Sequence, residues 1–444
     1  MNRNSGNSKV KLPADDQSNG WYEILTDQAP SNPLKGSDST DWLVIGGGFV
    51  GMAATRRLAE LNPNQKVMLA DAQRIGHGTS GRNSGFIIDL PHKGDLEGPD
   101  IERKRKFIGL NRAAIEYMEK QVTTHGIECQ WSHAGKIQGA VSERGIKFLE
   151  HFQYLLQELG EPGTMLSGAE LKKKVGTDYY QQALFTPGCI LMQPAALMRG
   201  LLDTLPDNAI CHEDTPILGL EQRGKRWVAK TRHGEIHADK VLLGTNIFTE
   251  QFGLLTSRML PIMTFASMTR PLTEDEFKAF GGSDDWGLTP ADYAGTTLRF
   301  TQDRRMIVRN QYRFVPNYSS TGRERQHIRE KHRDAFLARY PKLSHVPFEY
   351  TWGGVCTLSS NYTSFFGELK PGLFASCCHN GVGAARGTIS GKLLAELASD
   401  GDSQLQRDML EVSGMPAWIP PEPFLGVGVR TRLKMAEWVS RSEI

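Results

Sequence analysis

The sequence predicts an α/β protein of two intertwined domains, one of them Rossmann-like. Three observations carry this. A short apolar run at 43–45 gives way to Gly46-Gly47-Gly48 and then to a helical pattern. Two more glycine-rich turns, at Gly244 and at Gly381-Val382-Gly383, each follow a short apolar run of the kind a buried parallel strand uses. The 444 residues suffice for two or three domains at roughly 150 residues each, so the segments between the turns can build a second domain.

In chain order, residues 1–37 are rich in Ser, Asn, Asp and Pro and read as an N-terminal arm pinned by Trp21 and Tyr22. The strand at 43–45 leads into a helix with Val50, Ala53, Ala54 and Leu58 on one side and Arg56, Arg57 and Glu60 on the other. A turn at Asn62-Pro63-Asn64 and a strand at 67–70, ending at Asp71, complete a βαβ opening. Helices are expected at 103–122, 145–159, 195–205 (entered through Gln193-Pro194) and 386–397. A strand is expected at 136–141, a hairpin at 227–231 and 235–237 around Gly234, and a separate buried strand at 241–243. Residues 296–308 alternate like a hairpin turning at Asp303-Arg304, and 373–376 is another buried strand. The nucleotide domain should comprise 38–100, 186–255 and 346–444, and the second domain 101–185 and 256–345.

Composition excludes several classes. Lys+Arg 52 against Asp+Glu 50 leaves a net charge of +2, no global field for nucleic acid or a membrane surface. The longest mostly apolar stretch, 42–54, is too short to span a bilayer. The 46 glycines exceed the usual ~7% but are clustered, which excludes collagen and favours tight loops. The six cysteines form no CxxC pair and the twelve histidines show no ligand spacing, so no metal is expected. HExxH, P-loop and GxSxG motifs are absent. The basic cluster from Arg323 to Arg333 is interleaved with acids, as on a solvated helix face. With no apolar segment of signal-peptide type near Met1, a soluble, reduced, cytoplasmic protein is expected.

Gly46-x-Gly48-x-x-Gly51 sits between strand and helix. The first glycine permits the tight turn, the second lets a pyrophosphate approach the backbone, and the third lets helix and strand pack closely; Phe49 and Val50 open the helix whose free N–H groups face the phosphates. Asp71 ends the second strand, twenty residues after Gly51, where an acid binds a ribose hydroxyl pair, with Ala72 beside it. A second loop, Gly78-Thr79-Ser80-Gly81-Arg82-Asn83-Ser84-Gly85, follows seven residues after Asp71. Its small residues allow close backbone approach, and Arg82 offers charge for a phosphate or serves as a structural ion-pair residue.

This loop, set after the acid, resembles that of the D-amino-acid oxidase superfamily of FAD-dependent amine oxidoreductases, with the gamma-glutamylputrescine oxidase-like branch nearest in character. The resemblance covers most of the chain from about residue 40. It extends to 241–246, where Gly244, Thr245 and Asn246 follow a strand, to 261–272, to the Leu298-Arg299-Phe300-Thr301 hairpin, and to Trp352-Gly353-Gly354 followed by Gly381-Val382-Gly383. It implies bound FAD, expected to be non-covalent, with Gly354, Asn380, Gly381, Val382 and Gly383 near the flavin ring, and a substrate domain whose mixed or antiparallel sheet roofs that ring.

The departures concern the substrate. Glycine and D-amino-acid oxidases carry a carboxylate-binding Arg shortly after the position of Trp352; here the chain reads Gly353-Gly354-Val355-Cys356-Thr357. The Lys that sarcosine oxidase places just after its glycine loop corresponds to Ala385. Candidates to replace these groups are Arg299, Arg309 and Arg313; the last two are four apart on one strand face, with Tyr312 between them. His379 precedes the glycine loop and could contact flavin or substrate. Trp352, with Trp131, His133 and Phe365, is a candidate for an aromatic pocket or for core. Cys356 falls near the tract where monomeric sarcosine oxidase attaches its flavin, or is an inert buried thiol.

The expected reaction is oxidation of an amino acid, the L-series favoured, to its imino acid, which water hydrolyses to a 2-oxo acid and ammonia, with oxygen taking the electrons. The alternatives are a secondary or polyamine-derived amine, or a non-catalytic flavin-binding redox sensor. The expected partners are a small amine or amino acid and an electron acceptor, with no nucleic acid and no transmembrane segment; a homo-oligomer is allowed.

Overall fold

A computed structural model describes residues 11–13, 16–26, 29–96, 98 and 100–444. The first sheet is built on five parallel strands in the order Leu373–Cys377, Glu235–Leu243, Asp38–Ile45, Val67–Ala70 and Ala209–His212. Phe365–Lys370 closes one edge antiparallel, and Gly219–Arg223 with Arg226–Lys230 branches from Glu235–Leu243. The expected βαβ opening is present: the helix Phe49–Leu61 connects Asp38–Ile45 to Val67–Ala70. Apolar residues on both faces of the parallel strands divide between two core clusters, Val44 and Leu69 on one side, Leu43 and Met68 on the other, as a buried parallel sheet requires.

The second sheet runs Phe348–Leu358, Leu260–Thr269, Met306–Phe314, Thr297–Phe300, Trp286–Pro290, Lys136–Ala140, Gln182–Thr186 and Thr164–Ser167. It is mixed: Trp286–Pro290 pairs parallel with Lys136–Ala140 and the other pairings are antiparallel. The helix Phe424–Val439 follows near the C-terminus.

The structure differs from the sequence reading at several points. The pieces expected at 235–237 and 241–243 are one strand, Glu235–Leu243, because Asp38–Ile45 pairs with it along almost its whole length. The expected nucleotide segment 346–444 is not uniform, since Phe348–Leu358 pairs with Leu260–Thr269 in the second sheet. The helix Ile101–His125 lies in the segment assigned to the second domain, yet Phe107, Leu110 and Ala114 pack into the core of the first. Within the segment 1–37, Trp21 is fully buried and its Nε1 donates to Asn83 O at 2.8 Å.

Candidate active site

All five parallel strands end at the same edge, and the loops leaving them line one cavity of about 1040 Å³. Parallel strands converge their C-terminal loops in this way because every crossover returns to the opposite edge. At the first loop, Gly46 has φ +94°, a left-handed conformation that favours glycine. Gly51 cannot carry a side chain: a Cβ there would lie 1.7 Å from the carbonyl oxygen of Gly46. Helix and turn are therefore in backbone contact, which brings the N-terminal N–H groups of Phe49–Leu61 to the cavity wall beside Gly48 and Val50. One of those groups, Phe49 N–H, donates to Ser80 Oγ at 3.0 Å, joining the first glycine turn to the second loop.

Asp71 receives Gly47 N–H at 2.6 Å on Oδ2 and Gln73 N–H at 2.8 Å on Oδ1. Burial pushes its pKa up, assisted by Glu213 and Asp214, and the two backbone donors oppose that shift. In the second loop, Gly78, Thr79, Ser80, Arg82, Asn83 and Ser84 line the cavity. Gly85 does not; it is tied into the body, and Asn83 Oδ1 accepts its N–H at 2.8 Å. The Arg82 guanidinium is held by protein: Nε donates to His77 O (2.6 Å), one Nη to Gly353 O (3.0 Å) and the other to Asp16 (3.0 Å). Arg82 thus clasps the loop to the second sheet and the arm, the ion-pair alternative of the sequence reading.

At the far end, Asn246 Oδ1 accepts Cys378 N–H at 3.0 Å, and Asn380 Oδ1 accepts Ser359 N–H at 2.9 Å. These two amides fix the turns that carry Gly244, Thr245, Gly381, Val382 and Gly383, all of which line the cavity. Gly383 opens the helix Gly383–Ala398, three residues earlier than the sequence pattern suggested, and a Cβ there would meet nothing within 4 Å. That N-terminus faces open space, where it favours negative charge. Cys356 lines the same space and is partly exposed.

The substrate candidates separate sharply. Arg309 and Tyr312 both line the cavity, and Arg309 Nη1 donates to the Tyr312 hydroxyl at 3.2 Å. Arg313 does not share their face. The register slips between Thr264 and Phe265, and Gln311 sits at φ +59°, so the extra residue of a β-bulge breaks the alternation. Arg313 turns away to Glu437, at 3.1 Å. Arg299 is also excluded from the cavity: it is fully buried, 2.6 Å from Asp285. Trp352 is core: it packs with Trp21, and its Nε1 donates to Arg82 O at 3.0 Å. Phe365 is core too, Trp131 packs against the first core, and His133 is exposed beside Glu119. His379 reaches the wall behind the glycine loop, with Nε2 3.2 Å from Ser376 Oγ and 3.1 Å from Ser390 Oγ. Burial and then Arg386 lower its pKa to about 3, so its ring is neutral at physiological pH.

Two parts of the wall escaped the sequence reading. The helix Phe424–Val439 contributes Leu425, Gly428, Val429, Arg432, Leu433 and Ala436. Their three-and-four spacing is a readable helical face, though Gly426 and Gly428 weaken the local propensity. Lys136 and Gln138 face the cavity from one side of Lys136–Ala140; the strand was predicted, but its inward face was not.

Glycine-rich turns at the ends of a parallel sheet, continuous with a cavity under a mixed sheet, define the class: an α/β fold of the nucleotide-binding type with a second, mixed sheet. The chain belongs to the FAD dependent oxidoreductase (DAO) family, whose model matches residues 41–397. It is 24% identical over 397 residues to the probable oxidoreductase OrdL of Haemophilus influenzae, covering 84% of this chain and 86% of that protein. It is 23% identical over 382 residues to the gamma-glutamylputrescine oxidoreductase of Escherichia coli, covering 83% and 86%. The structure superposes on glycine oxidase from Geobacillus kaustophilus with a TM-score of 0.70 at 16% identity, covering 82% of this chain and 96% of that one. The protein is therefore an FAD-dependent oxidoreductase. Among the described residues no helix is long and apolar enough to cross a membrane.

Proposed function

We propose that the protein oxidises the amine carbon of an amino acid, with the L-series favoured, to an imine that water hydrolyses to a 2-oxo acid and ammonia. FAD, when bound, supplies the two-electron sink, and oxygen is the favoured final acceptor, giving hydrogen peroxide. The observation that carries the reading is the pairing of Arg309 with Tyr312 on a cavity wall continuous with the dinucleotide cradle. A guanidinium there can receive a carboxylate in a charge-assisted hydrogen bond and so orient the neighbouring C–N bond.

The cradle residues fit FAD. Gly46, Gly48, Val50 and the Phe49–Leu61 N-terminus suit a pyrophosphate, Asp71 with Ala72 suits the ribose, and the 78–84 loop runs between the two domains. Gly354, Asn380, Gly381, Val382 and Gly383 suit the ring, the helix N-terminus favouring its reduced, negatively charged form. The apolar parts of the C-terminal helix, Leu425, Val429 and Leu433, limit water at the reacting carbon. The neutral ring of His379 is buried behind the loop and serves to fix it through Ser376 and Ser390. Favouring the L-series rests on the absence of an Arg at 353–357.

The test is an anaerobic visible spectrum before and after addition of pooled L-amino acids. Bleaching of the flavin followed by reoxidation in air supports the whole reading. Bleaching only by D-amino acids or by polyamine derivatives replaces the substrate, and a flavin that no amine reduces leaves a redox sensor.

A further inference from the structure

Lys136 is 1% exposed, yet it lines the cavity. Among the described residues its Nζ has no hydrogen bond and no ion pair; its partner is the face of Phe152, 5.8 Å away, which lines the same cavity. Gln138, two residues on, shares its strand face and also lines the cavity, while Ile137 between them packs into the core on the other side. Asp89, the carboxylate near enough to attract Lys136, is held by Arg112 at 3.5 Å and packed on Gly188, where a Cβ would lie 2.0 Å from its Oδ2.

A buried cation whose nearest carboxylate is not in ion-pair contact is costly, and an apolar side chain would fill the space at lower cost. Burial lowers the Lys136 pKa, with Cys189 and Asp89 opposing. An incoming anion supplies what the site lacks: an acceptor for the ammonium donors.

We propose that Lys136, with Gln138 beside it, binds a second carboxylate of the substrate, remote from the amine that is oxidised, so that the natural substrate is an amine dicarboxylate. This rests on the reading of the cavity as an amine-oxidising site in which Arg309, on the same sheet, takes the carboxylate next to the reacting carbon.

The test does not depend on turnover. The FAD-loaded protein is titrated with the unreactive dicarboxylates malonate, succinate, glutarate and adipate, each against the monocarboxylate of equal length, and binding is read as a shift of the flavin spectrum. At least one dicarboxylate should bind roughly ten- to 150-fold more tightly than its monocarboxylate, the range of one charged hydrogen bond. That ratio should fall to about one in Lys136→Met and Lys136→Gln and be largely kept in Lys136→Arg. A wild type with no preference overturns the proposal without any variant, as does a preference that survives in Lys136→Met or Lys136→Gln. A wild type that shows the preference but whose flavin no amine reduces would overturn the oxidase reading and leave the anion site standing.

Discussion

Replacing Gly51 by alanine tests the cradle most directly. The added Cβ would sit 1.7 Å from Gly46 O and 2.9 Å from Gly46 C. Against an ordinary contact of ~3.5 Å, the helix Phe49–Leu61 must retreat by more than about 1.5 Å. Retreat is blocked on the opposite side, because the helix Gly383–Ala398 already approaches so closely that a Cβ on Gly391 would lie 2.1 Å from Val50 O. Both obstacles are backbone and neither has a rotamer to change. Overpacking relieved by side-chain shifts costs about 1–3 kcal/mol, so at least ~3 kcal/mol is expected here, a loss of a hundred-fold or more in FAD affinity. The assay is the FAD-to-protein ratio of the purified variant, followed by a titration of the apoprotein with FAD. Gly109→Ala is the control, since a Cβ there meets nothing within 4 Å on the exposed side of the helix Ile101–His125. A Gly51→Ala protein that purifies with a full complement of FAD and binds it as the wild type does would show that the pyrophosphate does not lie at this turn.

Arg309→Met should lower kcat/KM for any substrate carrying a carboxylate beside the amine by roughly ten- to 150-fold, the worth of one charged hydrogen bond of about 1.5–3 kcal/mol; a change under two-fold removes Arg309 from the site. Acid precipitation of the holoenzyme should release the FAD into the supernatant, and flavin remaining with the pellet, then lost in Cys356→Ala, would establish a covalent link. His332 is buried against Ser267, and burial lowers its pKa to about 3. The unfolded chain therefore binds the extra proton as pH falls from about 6.5 towards 3, and its contribution to stability declines through that window by about 1.4 kcal/mol per pH unit. His332→Gln lacks this term, so urea melts of wild type and variant should diverge in slope between pH 6 and 4; parallel slopes refute the assignment of a neutral buried ring.

The parts of this protein that were legible in the sequence are those set by local rules. Gly46, Gly48 and Gly51, followed by Asp71, mark a turn, a close approach and a strand end that depend on a few adjacent residues. The parts that were not legible depend on what lies across a sheet. Glu235–Leu243 reads as two pieces because Asp239 and Lys240 interrupt its apolar pattern, and only pairing with Asp38–Ile45 makes it one strand. Arg309 and Arg313 are evenly spaced in sequence, but the bulge at Gln311 separates them, and no residue type announces that bulge. Arg299 carries the charge expected of an anchor, yet its counter-charge Asp285 lies on the loop before a neighbouring strand, which pairing alone brings near.

The same distinction explains why cofactor and substrate recognition differ in how firmly they can be read. A pyrophosphate is held by backbone N–H groups at a helix N-terminus, so the sequence need only supply glycines that let the backbone approach. The wall under the second sheet is made by side chains from strands far apart in the chain: Lys136 and Gln138 from one, Thr297 from another, Arg309 and Tyr312 from a third, with Arg432 arriving on a helix near the C-terminus. Which of these meet is decided by sheet order, and sheet order is decided by burial of the apolar faces, not by the polar residues that end up facing the cavity. A change of substrate therefore needs only new side chains on an unchanged wall, while a change of cofactor would require a different backbone. The strand Phe348–Leu358 carries no Arg at 353–357, while Lys136 lies three strands beyond that of Arg309, on the same sheet and facing the same cavity.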